Sequence, residues 1–216
     1  MNFHVLLKEK FFYISKKQLN SINEYCRERK ISLFNFFTAV VSIYLSKINN
    51  STDFVLGTPI LNRSNFNEKN TMGMFVSVMP FLFNINDSDS FINFLNSVAS
   101  SQKKMYRHIK YPYHEILNYV RKEYDFIGNL YDIVFSYQNA TIPSYCKWLP
   151  NFAQAESLQI HVKNLDSSKN SLSIHYDYLI DIISDYDIEI MHKRILNMIN
   201  QVLENEELCL FEFEIM

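Results

Sequence analysis

The sequence predicts one α/β structure in which a mixed β-sheet is flanked by helices. Three observations carry that prediction. Apolar residues recur with a period near 3.6 in some stretches and 2 in others, and the two kinds interleave along the chain. The 216 residues are 48% hydrophobic, so material for a substantial core is not lacking. No internal repeat, low-complexity tract or linker divides the chain into separate domains.

Residues 4–14 are rich in Phe, Tyr, Val and Leu and read as a strand. Ser15 through Gln18 has the form of a capping box opening a helix with Leu19, Ile22 and Cys26 on one face, ending near Lys30. Ser32 is placed to cap a second helix, striped by Phe34, Phe37, Val41, Tyr44, Leu45 and Ile48 and closed by Asn49 and Asn50. Residues 53–61 form a strand whose Gly57 and Pro59 argue against a central position, because Pro lacks a ladder donor. A polar loop runs to residue 70.

The stretch 71–80, Thr-Met-Gly-Met-Phe-Val-Ser-Val-Met-Pro, sets one of only three glycines in an apolar run. The pattern reads as a buried strand kinked at Gly73. Asp87, Ser88 or Ser90 caps a helix over 91–108, and Pro112 suits the first turn of another over 113–124. Residues 130–139 form a strand with Ile133, Phe135 and Tyr137 on one face; 140–156, with Pro143, Pro150 and Trp148, is irregular. Two alternating strands follow, through Leu158, Ile160 and Val162 and then Leu172, Ile174, Tyr176 and Tyr178, turning at 166–170. A last helix over 184–204 carries Ile188, Met191, Ile195, Ile199 and Val202, with Asp185 and Asp187 at its start.

Several function classes are excluded. A net charge of −2 with no basic stripe argues against nucleic acid and against an anionic membrane surface. Cys26, Cys146 and Cys209 lack metal or redox spacing, and the N-terminus lacks a signal-peptide layout, so a cytoplasmic protein with reduced thiols is expected. The most apolar helix, over 33–48, is interrupted by polar residues and suits a buried core better than a bilayer. No G-x-S-x-G, Walker A or G-x-G-x-x-G motif occurs.

Pro112 separates His108 from His114, and neither belongs to a metal-binding spacing. His161 and His175 face each other if the hairpin turns about Ser168, but they alternate with the apolar set and so read as an outward, solvated pair rather than a metal site. The acidic group Asp177, Asp181, Asp185, Asp187 and Glu189 lacks EF-hand spacing. No metal site is expected, and the residues alone form no self-sufficient catalytic set.

Four stretches in register resemble the C-terminal half of a nonribosomal peptide synthetase condensation domain. They are Gly57-Thr-Pro-Ile-Leu-Asn-Arg63 (family pattern G-x-P-x-x-x-R), Met72 through Pro80 (I-G-M-F-V-N-T-L), His108 through Glu115 (H-Q-x-Y-P-F-E) and Leu130 through Asn139 (N-P-L-F-D-V-x-F-x-x-Q-N). Departures are Ser77 and Val78 for Asn-Thr, His114 for Phe, and Lys122-Glu-Tyr-Asp where the family has an arginine-bearing lead.

The resemblance implies one lobe of a chloramphenicol acetyltransferase-like (CoA-dependent acyltransferase-like) fold, with residues 1–216 as the C-terminal lobe. The family's H-H-x-x-x-D-G motif lies in the first lobe, and no His-His pair occurs in this sequence. The expected activity of the whole domain is amide-bond formation between an acyl or peptidyl thioester and an aminoacyl thioester. Both would be carried on the 4′-phosphopantetheine of peptidyl carrier proteins, with no cofactor bound directly. Arg63 matches an arginine that pairs with the motif aspartate of the other lobe. Gly73, Met74 and Phe75 match the floor of the substrate tunnel, and Tyr137, Gln138 and Asn139 match acceptor-side positions, with Asn139 best placed to orient the amine. No catalytic residue is expected in this chain. A non-catalytic docking relative and a lobe of a CoA-dependent acyltransferase are the alternatives. An exposed apolar face, self-association through it, and departure of Met72 through Val76 from the sheet are also expected.

Overall fold

The computed structural model describes residues 6–140, 154–166 and 171–215. Pro143, Cys146, Trp148, Pro150 and most of the expected hairpin turn lie outside them. The strands are β1 (Leu7–Tyr13), β2 (Asp53–Ile60), β3 (Ser77–Asn84), β4 (Ile133–Asn139), β5 (Leu158–Asp166) and β6 (Ser171–Leu179). The helices are α1 (Lys16–Arg29), α2 (Leu33–Asn49), α3 (Phe66–Asn70), α4 (Phe91–Tyr106), α5 (Tyr113–Tyr124) and α6 (Asp185–Glu204). The strands form one six-stranded sheet in the order β1-β6-β5-β4-β2-β3. β4 runs parallel to both β2 and β5, and the other pairs are antiparallel.

α2 is the axis of the core. Its Phe36, Phe37, Ala39 and Val40 are fully buried, as is Thr38, whose hydroxyl donates to the Phe34 carbonyl. Every residue from Asn35 to Ser46 is buried, so the middle of the helix is covered on all sides, packed by α1, α4, α6 and the sheet. Phe135, Ile160, Ile174, Tyr176 and Tyr178 project from the sheet into this layer, as the period-2 alternation requires. Among the described residues no single helix is long and apolar enough to cross a membrane.

Local chemistry sets the helix ends. The Ser15 and Ser32 hydroxyls accept from the amides of Gln18 and Asn35. Gln18 does not complete the expected box; its side-chain amide crosses to Asn200 Oδ1 at 2.8 Å and ties α1 to α6. Ser184 and Asp187 do form a reciprocal capping box at α6. Asn50 ends α2 in the left-handed conformation. Ser90 caps α4 without a side-chain bond, and the free amides of Phe91 and Ile92 donate instead to the carbonyls of Leu208 and Glu206.

Three expectations fail. β2 is an interior strand despite Pro59: it pairs with β3 along its length, Pro59 opposite Val78, and meets β4 only at Gly57 and Val134. The loop before residue 70 contains α3, whose first turn is closed by the Asn65 side chain accepting from the Glu68 amide. The kinked buried strand holds only from Ser77 onward.

Candidate functional site at the strand ends

Parallel β2 and β4 end together, and past Gly57 and Val134 they are no longer paired. A cleft of about 560 Å³ opens there, on the helix side of the sheet. Pro59 to Arg63 form one wall, Ser32 and Phe34 at the start of α2 another, and Gln102, Tyr106, Ile109 and Tyr137 complete it. Its position beyond the carboxyl ends of parallel strands is where open α/β sheets commonly bind ligands. The Tyr137 phenol, hydrogen-bonded to Asn164, is pushed up by burial.

Arg63 organises the loop that follows. Its guanidinium donates to the carbonyls of Glu68, Thr71 (2.7 Å) and Gly73 (2.7 Å), and its carbon lies 4.1 Å from the centre of the Phe75 ring. A planar fork of donors suits this multiple capture, as a lysine ammonium would not. Glu68 in turn accepts from the Ser64 amide and from Lys110 Nζ, each within 2.9 Å, and the Lys110 bond leads the causes that hold its carboxyl down at about 2. Lys110 also donates to the Asn62 carbonyl at 2.9 Å. Gly73 has φ +143°, a conformation that favours glycine. From this anchored base Met72 and Met74 project 98% and 93% exposed. The segment 71–76 is therefore outside the sheet, as expected, and is held by Arg63 rather than by strand pairing.

The expected acceptor-side residues divide between two faces. Tyr137 points into the cleft, while Ser136 and Gln138 alternate to the sheet face away from the helices. Asn139 is exposed at the end of β4, and among the described residues no side-chain hydrogen bond holds it.

The sequence reading missed what lies on that other face. His161 and His175 are opposite each other in register, as expected, but they are not solvated. His161 is 8% exposed, with Nδ1 2.6 Å from Ser136 Oγ and Nε2 3.3 Å from Asp177 Oδ2. His175 Nδ1 lies 2.7 Å from Glu9 and its Nε2 3.0 Å from Ser173 Oγ, while Phe11 stacks on its ring. Burial pushes the His175 imidazole down, against the opposing pull of Glu9, and likewise lowers Lys163, which is 3% exposed beside Glu9. The available signal was the alternation of Ser136, His161, Lys163, His175 and Asp177 on one face of three neighbouring strands. Among the described residues no group of three or more His, Cys, Asp or Glu could hold a metal ion.

The architecture is that of condensation domains, which have a chloramphenicol acetyltransferase-like fold. The solved condensation domain from the monacolin K polyketide synthase MokA superposes with TM-score 0.83 at 17% identity, over 96% of this chain and 49% of that one. A four-domain nonribosomal peptide synthetase bound to AMP and glycine matches at TM-score 0.86 and 15% identity, over 97% and 18%. Residues 7–216 match the family model described as "Condensation domain", and the chain belongs to that family. Surfactin synthase subunit 1 of Bacillus subtilis (strain 168) is 28% identical over 86% of this chain, and gramicidin S synthase 2 of Brevibacillus brevis is 25% identical over 95%. Either match covers 5% of the relative's own length, so the chain spans a small part of those synthases and about half of the solved condensation domain.

Proposed function

We propose that residues 1–216 are the C-terminal lobe of a condensation domain that forms amide bonds between carrier-bound substrates. The donor is an acyl or peptidyl thioester, the acceptor an aminoacyl thioester, and each arrives on the phosphopantetheine of a peptidyl carrier protein. The amine nitrogen attacks the thioester carbonyl, the new C–N bond replaces the C–S bond, and the thiol leaves. The lobe's task is to hold the amine at attack distance and exclude water. This chain carries no H-H-x-x-x-D-G motif and is inactive without a lobe that supplies it.

The single observation that carries this reading is the family match over 7–216, the range that holds both the cleft and the Arg63-anchored loop. Arg63 is the structural residue that joins the two lobes, Gly73, Met74 and Phe75 form the tunnel floor, and Tyr137, Gln138 and Asn139 border the acceptor. The test combines this chain with a first lobe bearing the histidine motif, a donor-loaded carrier and an acceptor-loaded carrier. Amide product on the acceptor carrier, read by mass spectrometry and dependent on both lobes, is expected. Product from CoA thioesters without carriers would identify a CoA-dependent acyltransferase instead. Carrier or enzyme binding with no product from an intact motif would identify a docking module.

A further inference from the structure

The cleft beyond β2 and β4 is chemically one-sided. Its apolar walls are Phe34, Pro59, Ile60, Tyr106, Ile109 and the ring of Tyr137. Ile60 is 7% exposed and Phe34 leans on Phe135 of the core, so these walls are fixed in place. The polar groups of the lining already have partners or are turned away. The Ser32 hydroxyl accepts from the Asn35 amide, and the Gln102 side-chain amide donates to the Tyr106 hydroxyl at 3.2 Å. Asn62 Oδ1 is out of solvent contact, and the Asn62 main-chain carbonyl accepts from Lys110. Among the described residues that line the cleft, Arg63 is the one charged side chain. It donates to three loop carbonyls and stacks on Phe75, so a carboxylate could reach it only by taking it from the loop it anchors.

A charged group placed in this cleft gives up its hydration and finds no free partner. Apolar surface placed there leaves water without that cost. The volume, about 560 Å³, is that of a pocket for a whole small ligand, far more than a methyl group fills. We infer that the cleft receives the side chain of the acceptor amino acid and selects a large apolar one, branched aliphatic or aromatic, over small and charged ones. Phe34, Ile60, Tyr106 and Ile109 are the specificity-determining residues. The inference rests on the functional reading above and narrows it: Tyr137 is the acceptor-side residue that lines the cleft, which sets the cleft beside the acceptor in that reading.

The test uses the two-lobe assembly of the condensation assay and non-hydrolysable aminoacyl amides of aminopantetheine, which keep the amine free. Calorimetry reads the Kd for the leucine, phenylalanine, alanine, aspartate and lysine amides. The leucine and phenylalanine amides are expected to bind roughly tenfold to a hundredfold tighter than the other three. Equal Kd values, a preference for a charged side chain, or no binding by any of them overturns the inference. Tyr106 is 46% exposed, so Tyr106→Ala opens no hole in the core, and it is expected to weaken the phenylalanine amide about tenfold. Gln102→Lys supplies the missing counter-charge and is expected to tighten the aspartate amide about tenfold; an unmoved Kd in both variants contradicts the assignment of the walls. In the condensation assay itself the same order of acceptors is expected in kcat/KM. Product formed equally well from all five acceptors overturns the inference and leaves the functional reading standing. The binding order without amide product sinks the functional reading and leaves the side-chain selection intact.

Discussion

His192 shows how one buried side chain converts position into pH dependence. It stacks on Phe12 of β1 with ring centres 4.1 Å apart, and its Nδ1 lies 3.0 Å from the Tyr176 hydroxyl. Burial pushes its imidazole down to about 4. An unfolded chain takes up that proton near about 6.5, so between the two values the unfolded state binds more protons. The stabilising contribution is therefore complete above that upper value and is lost as pH falls toward the lower one, up to about 3 kcal/mol. Urea midpoints of the chain should fall from neutral pH to about pH 4.5, and His192→Gln should flatten that slope. Equal slopes in the two proteins would contradict it. The residue's role was not legible in the sequence, where it is one more polar position on a helix; the strand that buries it lies far away in the chain.

At the scale of elements, caps were legible because a cap is written in neighbouring residues. Ser32, Asn50, Ser184 and Pro112 all mark boundaries that the structure keeps. The same local code, Asn65 followed three residues later by Glu68, was present for α3 and passed over because the helix is only five residues long. What could not be read locally is which elements meet. Gly57 is the example. Added to it, a Cβ would lie 2.7 Å from the Tyr131 ring and 2.9 Å from Val134 Cγ2. Glycine is thus the residue that lets Tyr131, itself packed on Tyr113 of α5, close over the outer face of β2. Gly57→Ala should cost about 1–3 kcal/mol by overpacking, and a second change, Tyr131→Leu, should recover part of it. Chemical denaturation of the single and double variants measures this; a neutral Gly57→Ala would refute the close approach. The candidate site divides the same way, since the Arg63 and Tyr137 positions followed from motif resemblance and the histidine network required cross-strand register.

At the scale of the whole molecule, the apolar surface is unusually generous on one side. Leu61, Phe66, Met72, Met74 and Val76 are all more than half exposed, clustered in sequence around the cleft and its loop. The proposed C-terminal-lobe reading accounts for them as an inter-lobe face. The chain alone should then show concentration-dependent association in sedimentation velocity, reversed by adding the first lobe. A strict monomer at every concentration would count against that face being an interface.

The strand order has a consequence for how such a lobe acquires its structure. β1, near the start of the chain, finds its sheet partner only in β6, and Lys8 and Lys10 pair with Asp185 and Glu189 on α6. Nothing made in between can complete that edge. As the polypeptide is synthesised, its first strand must wait, with Phe12 lacking its partners Tyr176 and His192, until some 170 later residues have emerged. Folding is thus closed by its ends rather than grown from one of them, and a slow last step, the docking of β1, should limit it.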